Sequence, residues 1–142
     1  MGTREVTQQL GKVPLFSGLS QRELEAIVRA GKEVEHQPGH VIAREGDRGI
    51  GFFLVLEGEA RVSRGGKGLA KLKSGDFFGE VSLLDRGPRT ATVTATTPIR
   101  LLGVTAWVFR GILTEYPSIA MKLLEVVAAR LRQVTKAPAP AT

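Results

Sequence analysis

Apolar residues change their spacing twice along the chain, and the first part has the period of a helix. Ser20 and Glu23 have the spacing of a capping box, and an apolar stripe follows them at intervals of three and one residues. The stripe consists of Leu24, Ile27 and Val28. We expect a helix that begins after Ser20 and ends at Gly31. Residues 13–19 are mostly apolar but contain proline and glycine, which predicts a packed turn.

From Glu33 to about Val104 the apolar period shortens towards two, as in β-strands. Short apolar or alternating segments are separated by Gly or Pro-Gly turn signals. They cover residues 41–43, 52–56, 59–64, 91–96 and 99–101. Many short strands with a turn signal between each pair predict a small antiparallel barrel or jelly roll.

Helical spacing returns after the strands. A short helix is predicted by the spacing of Trp107, Val108, Ile112 and Leu113, and Pro117 suits the first turn of a second helix. The second helix has an apolar stripe that we interpret as core, formed by Ala120, Leu124, Val127, Leu131 and Val134. Residues 137–142 are rich in proline and cannot continue this helix. We therefore expect a single domain over residues 1–136 and a disordered tail over residues 137–142.

The composition is that of one globular domain, with 142 residues of which 42% are hydrophobic and 24% charged. No apolar run approaches the roughly 18 residues that span a membrane, and the N-terminus has no apolar signal segment. Cysteine is absent, which excludes disulfides and thiolate metal sites. These features predict a cytoplasmic protein that does not bind a membrane.

The formal net charge is +6, which is compatible with solubility alone or with an anionic ligand. Along most of the chain Lys and Arg lie among Glu and Asp, as in residues 22–25 and 44–47. No five basic residues are consecutive. We therefore expect no direct binding of nucleic acid.

Sequence motifs of catalysis are absent. The phosphate-binding loop, the dinucleotide fingerprint and the Gly-x-Ser-x-Gly elbow do not occur. His36 and His40 are separated by Pro38-Gly39, which predicts a turn with surface histidines rather than a metal site. We expect a protein that is not an enzyme and has no catalytic residue, metal or cofactor.

One segment, residues 75–93, combines residues suited to an anionic ligand. Arg89 offers a guanidinium fork to the oxygens of an anion, and Gly79 allows the backbone to approach the ligand. Residues 81–83 are expected to open one helical turn whose N–H groups point at the anion. An ionised Glu80 only accepts hydrogen bonds, so it suits a hydroxyl group of the ligand rather than the anion. The simpler alternative is an ion pair between Glu80 and Arg89 that closes the loop.

This segment resembles the phosphate-binding cassette of the cyclic nucleotide-binding domain family. The family pattern is Phe-Gly-Glu, an apolar and a small residue, Leu, a short loop, and then Pro-Arg, a small residue, Ala, Thr or Ser, and Val. Residues 78–83 and 88–93 match it in order. The resemblance extends over the whole chain except its ends, and Glu45-Gly46-Asp47 is part of it. It implies a mainly β fold, an eight-stranded antiparallel β-roll of the jelly-roll or double-stranded β-helix type, with N-terminal helices and C-terminal helices forming a lid.

The resemblance also implies a ligand, cAMP or cGMP, with cAMP the better match. The implied ligand-binding residues are Gly79, Glu80, Val81, Ser82, Arg89, Thr90, Ala91, Val62 and Leu131. Phe77 and Phe78 are expected to be core rather than a stacking platform for the base. Many relatives carry an acidic residue that braces the arginine, and Ile50 occupies that position here.

The expected function is a stand-alone cyclic nucleotide sensor in which ligand binding moves the C-terminal helix. Its effector would be another protein chain, and the domain itself a monomer or weak homodimer. Three alternatives stay open: the sensor part of a transcription regulator of the catabolite-activator type, an interaction module that has lost the ligand, and a small-molecule enzyme of the cupin class.

Overall fold

The computed structural model describes residues 2–48, 51–80, 82–85 and 88–136, and at residues 82, 85 and 134–136 it describes the backbone alone. Helices lie at both ends of the chain and strands in the middle. The helices are α1 (Thr3–Gly11), the 3-10 turn η1 (Pro14–Phe16), α2 (Gln21–Ala30), α3 (Ser82–Asp85), α4 (Ala106–Glu115) and α5 (Pro117–Lys136). The strands are β1 (Lys32–His36), β2 (Val41–Ala43), β3 (Gly51–Glu57), β4 (Ala60–Arg64), β5 (Lys67–Leu72), β6 (Phe77–Phe78), β7 (Thr92–Ala95) and β8 (Ile99–Thr105).

Two sheets form the middle of the molecule. Within the described residues, eight strands pair antiparallel in the orders β1-β8-β3-β6 and β2-β7-β4-β5. The predicted eight-stranded antiparallel roll with flanking helices is confirmed. The predicted strand segments all lie on strands or on their immediate flanks.

Strand β3 is buried on both faces, which explains its unbroken apolar sequence. Phe52 and Leu54 belong to a cluster between this sheet and the helices, whereas Val55 belongs to a second cluster between the two sheets. Phe16 of η1 lies edge-on against Phe52 at 5.4 Å and against Phe109 of α4 at 6.0 Å between ring centroids. The roll therefore has one inner core and a second core that attaches the helices.

The predicted boundaries of α2 are confirmed. The Ser20 hydroxyl accepts from the Glu23 N–H, and the Glu23 carboxylate accepts from the Ser20 N–H. Gly31 ends the helix with extended backbone, and a Cβ there would lie 2.9 Å from a methyl of Leu102. The glycine thus suits the close packing of α2 on β8.

Helix α1 was not predicted, because its sequence offers only two well-spaced apolar residues. Val6 and Leu10 lie one turn apart on its buried face and pack in the helical cluster. The Thr7 hydroxyl, also buried, donates to the carbonyl of Thr3. Two apolar residues suffice here because α2 and η1 cover them.

The interpretation of the α5 stripe as core is wrong. Leu124 and Leu131 are each 62% exposed, and Val127 is 38% exposed. The buried face of α5 consists of Ile119 and Leu123, which pack in the helical cluster near its start. The exposed residues of the stripe lie on another face of the helix.

None of the described helices has the length and apolar composition to cross a bilayer.

Candidate functional site

The candidate site begins where β6 leaves the first sheet. Phe77 and Phe78 pair with β3, and their rings stack on Phe52 at 6.2 Å and Phe53 at 5.2 Å. Both are partly buried against the cores, as expected for core residues. The pair anchors the following turn, which starts at Gly79.

Gly79 occupies a position that only glycine fills without strain. Its φ is +84°, in the left-handed region. A Cβ at this position would overlap the Nη1 atom of Arg89 and would lie 2.5 Å from the carbonyl oxygen of Gly51. The backbone at Gly79 therefore comes into direct contact with the arginine that the sequence singles out.

Arg89 is fixed from both its side chain and its backbone. Its Nη2 donates to the Gly51 carbonyl at 2.8 Å. Its N–H donates to the Asp47 carbonyl at 2.7 Å, and its own carbonyl accepts from the Gly46 N–H at 2.9 Å. These three hydrogen bonds hold Arg89 in one position. A guanidinium that is held in position loses less entropy when it binds an anion.

Burial sets the electrostatics of this arginine. The side chain is partly buried, and removal from water lowers the pKa of the guanidinium from its usual value. A desolvated cation gains more than an exposed one from a bound anion, because the surrounding dielectric is lower. The position therefore favours an anion.

A second set of hydrogen bonds holds the loop that carries Arg89. The Arg64 Nε donates to the Thr90 carbonyl at 2.8 Å, and the Glu45 N–H donates to the Thr92 hydroxyl at 3.0 Å. The Glu45 carboxylate accepts from the Gly65 N–H at 3.0 Å. Sequence reasoning did not assign these roles. The sequence predicted a turn at Glu45-Gly46-Asp47, but it did not indicate that this turn contacts Gly65 and Thr92.

Glu80 lies beside this cluster and is partly buried. Its carbonyl accepts from the Leu83 N–H at 3.3 Å, which starts the single turn of α3. The salt bridges given for the described residues do not include one between Glu80 and Arg89.

The remaining predicted site residues lie in four places. Thr90 is exposed and Ala91 partly buried in the segment before β7. Val62 is partly buried on β4, opposite Val93 of β7. Leu131 lies exposed on α5. Ser82 opens α3, whereas Val81 and Ile50 fall outside the described residues.

The two histidines flank the turn between β1 and β2, and their rings stack on each other. His36 and His40 stack with ring centroids 3.9 Å apart, and burial together with the neighbouring ring lowers the pKa of His36. In the described part of the chain, no group of three histidine, aspartate or glutamate side chains is placed to hold a metal ion.

A scan against known families adds the deciding observation. The family model described as "Cyclic nucleotide-binding domain" matches residues 33–116, more than half of the chain and all of the cassette. The chain belongs to the cyclic nucleotide-binding domain family. Gly79 and Arg89, which both belong to the cassette, are in contact in this cyclic nucleotide-binding domain.

Relatives of this cyclic nucleotide-binding domain include regulatory proteins. It is 29% identical over 129 residues to a CRP-like cAMP-activated global transcriptional regulator of Mycobacterium tuberculosis, covering 87% of the chain and 58% of that protein. It is 40% identical over 93 residues to a cAMP-dependent protein kinase regulatory subunit of Schizosaccharomyces pombe, covering 65% of the chain and 23% of that protein. The chain thus spans less than two thirds of the length of either relative.

Solved structures give the same picture of the fold. The N-terminal domain of a transcriptional regulator from Streptomyces coelicolor A3(2) matches with a TM-score of 0.88 and 32% identity, over 94% of this chain and 97% of that one. The Thermus thermophilus catabolite activator protein matches with a TM-score of 0.69 and 33% identity, over 86% of this chain and 60% of that one.

Proposed function

We propose that this domain is a cyclic nucleotide sensor that binds cAMP in preference to cGMP, with Arg89 as the residue that binds the cyclic phosphate. The observation that carries the proposal is the partly buried guanidinium of Arg89, fixed against Gly51 and in contact with Gly79. The preference for cAMP rests on relatives whose names include cAMP.

The other cassette residues take complementary roles. Glu80 accepts a hydrogen bond from the ribose 2′-OH, because an ionised carboxylate offers only acceptors. Thr90 and Ala91 border the phosphate together with the backbone of Ser82. Val62 contacts the base from β4, and Leu131 contacts it from α5. A ligand without the 2′-OH leaves the Glu80 carboxylate unpaired, so the site discriminates against it.

Ligand binding is coupled to α5. The exposed stripe formed by Leu124, Val127 and Leu131 gains a partner when the helix closes over the base. Burial of apolar surface stabilises the closed form by about 25 cal/mol for each Å² removed from water. The nucleotide then shifts the population towards the closed helix by as much as it binds that form better.

The output of the domain is regulatory rather than catalytic, and its effector is another protein chain. A second candidate is the sensor part of a transcription regulator. It is favoured by the 97% coverage of the N-terminal domain of the Streptomyces coelicolor regulator. A gel shift with a pool of random DNA sequences separates the two only in a protein that joins this domain to a DNA-binding part, where sequence-selective binding that withstands salt belongs to the second candidate alone.

Calorimetric titration of Arg89→Ala with cAMP tests the proposed site. Each charge-assisted hydrogen bond to the phosphate contributes about 1.5–3 kcal/mol, so the loss of both is expected to weaken binding more than a hundredfold. Arg110→Ala is the matched control, because this arginine is exposed on α4. Its affinity for cAMP should stay at the wild-type value.

The ligand series ranks the groups that the site reads. We expect affinity to fall in the order cAMP, cGMP, 2′-deoxy-cAMP and 5′-AMP. Thermal denaturation with ligand at a hundred times its Kd should show about 2.7 kcal/mol of stabilisation. If none of the four stabilises the folded wild-type protein, the domain is a ligand-free interaction module and the proposal is wrong.

A further inference from the structure

The positive charge of this chain is concentrated on one hairpin. Residues 60–73, which we name the basic hairpin, contain β4, β5 and the turn between them, and they include no acidic residue. Their five cations are Arg61, Arg64, Lys67, Lys71 and Lys73, and all are exposed. The rest of the chain has fifteen basic residues against fourteen acidic ones, so the hairpin carries five of the six net charges.

The strand register places these cations against each other. Arg61 lies opposite Lys71, and Arg64 lies opposite Lys67. Like charges directly opposite in an antiparallel pair destabilise it. Glu59 offsets one pair, since its carboxylate lies 2.9 Å from the Lys71 Nζ. The hairpin therefore carries a repulsion that its own folding does not require.

Protection of a sheet edge explains only part of this pattern. β5 is the outer strand of its sheet, and lysines on an edge strand discourage aggregation. Arg61 and Arg64, however, lie on β4, which is paired on both sides. Leu69 is 54% exposed at a register shift on the edge, where an apolar residue works against protection.

The shape of the charged surface selects among anionic partners. Arg61 and Arg64 are three residues apart on one strand, so they project to opposite faces of the hairpin. A flat bilayer meets only one of these faces, whereas a segment lying along the edge reaches both. The hairpin has no aromatic residue on which a nucleic acid base could stack.

We propose that the basic hairpin is a docking surface for an acidic peptide segment of a partner protein, with an apolar residue of that segment covering Leu69. The surface is pre-formed, because Gly65 and Gly66 turn the hairpin with φ of +57° and +80°. The docked segment neutralises the pair of Arg64 and Lys67, and it adds to the charge that Glu59 already supplies at the pair of Arg61 and Lys71.

The probe is a fluorescein-labelled hexapeptide of glutamates with one central leucine, titrated by anisotropy against the full chain. Arg61→Gln and Lys67→Gln should each weaken binding by about fivefold. Leu69→Ser should weaken binding of this peptide but not of an all-glutamate peptide. Lys12→Gln and Arg110→Gln remove exposed cations elsewhere and should leave the affinity unchanged.

Stability separates docking from a structural role. Because Arg61→Gln removes a repulsion, it should raise the Tm of the free protein while it weakens peptide binding. A lowered Tm with unchanged peptide affinity would overturn the proposal. The proposal would also be overturned if the peptide did not bind. It would equally be overturned if the chain bound an oligothymidylate or phosphatidylserine vesicles more tightly than the peptide, and Arg61→Gln and Lys67→Gln weakened that binding. Far-UV circular dichroism measured in parallel reports that each variant is folded.

Discussion

At the scale of single residues, the site depends on one glycine as much as on one arginine. The guanidinium of Arg89 occupies the volume that a side chain at position 79 would need. The Gly51 carbonyl, which accepts from Arg89 at 2.8 Å, borders the same volume. Gly79 therefore determines the position that the Arg89 guanidinium can occupy.

Replacement of Gly79 by alanine should displace the arginine. The left-handed backbone costs alanine about 1–2 kcal/mol, and the overlap with Arg89 adds to this cost. Loss of one charge-assisted hydrogen bond to the phosphate corresponds to about a tenfold to hundredfold weaker affinity for cAMP. Calorimetric titration measures the affinity, and urea denaturation measures the stability.

Gly39→Ala is the matched control for this substitution. Gly39 has a φ of +91°, but a Cβ there would meet no atom within 4 Å. Gly39→Ala should lose only the stability that the left-handed backbone costs an alanine, and it should keep the wild-type affinity for cAMP. Equal effects of Gly39→Ala and Gly79→Ala on affinity would show that strain, rather than overlap with Arg89, governs the site.

At the scale of elements, a buried carboxylate on α2 joins this helix to the start of α5. Glu23 of α2 is 7% exposed and accepts from the Ser118 hydroxyl at 2.6 Å and from the Lys122 Nζ at 2.7 Å, both on α5. Burial alone would raise the pKa of Glu23. The hydrogen bonds from Lys122, Ser118 and the Ser20 N–H have the larger combined effect and lower this pKa from 4.5 to about 2. The start of α5 is thereby fixed to α2.

The pKa of Glu23 predicts an acid-sensitive contribution to stability. Because the folded pKa lies below the unfolded one, the contribution is complete above about pH 4.5 and is lost as the pH falls towards 2. Glu23→Gln keeps the capping geometry but not the charge, so it should be about 1–3 kcal/mol less stable than wild type at neutral pH. Urea denaturation from neutral pH down to about pH 2.5 should show this difference shrinking.

Glu25→Gln provides the comparison on the same helix. The Glu25 carboxylate lies 3.9 Å from the Arg29 guanidinium, and this arginine is 61% exposed. An exposed pair contributes about 0–1 kcal/mol, so this variant should follow the wild-type pH dependence. If Glu23→Gln also follows it, the ion pair with Lys122 contributes nothing that depends on pH.

Local signals were sufficient for some elements and insufficient for others. The capping box of α2 and Pro117 at the start of α5 predicted those helices, because the relevant contacts lie within a few residues of each other. The burial of α5 was predicted wrongly, since Leu123 and Leu124 are both apolar and only the position of α4 and η1 decides which is covered. The pairing of Arg61 with Lys71 likewise required the strand register.

The same limit applies to the candidate site. Gly79 and Arg89 were singled out from the sequence, and the structure places them in contact. The partners that hold Arg89 are backbone groups of Gly46, Asp47 and Gly51. Backbone groups are common to every residue, so no side-chain pattern could have assigned them.

At the scale of the whole molecule, α5 is fixed at one end and open at the other. Ile119 and Leu123 bury its first turns, and the Glu23 carboxylate holds Ser118 and Lys122. Beyond them the stripe from Leu124 to Leu131 is exposed. Because only its start is fixed, the later turns of this helix can move and bury their apolar residues against another group without unfolding the core.

This arrangement predicts where a bound nucleotide changes hydrogen exchange. With saturating cAMP, the amides of residues 124–131 should exchange more slowly, while those of α2 keep their rates. Leu131→Ser should reduce the protection and weaken cAMP binding. Met121→Ser, 59% exposed on the same helix, should do neither. Identical exchange with and without cAMP would refute the coupling. Protection that appears only with a doubled mass in sedimentation would assign the stripe to pairing between two copies, because apolar surface is then covered by the partner and not by the base.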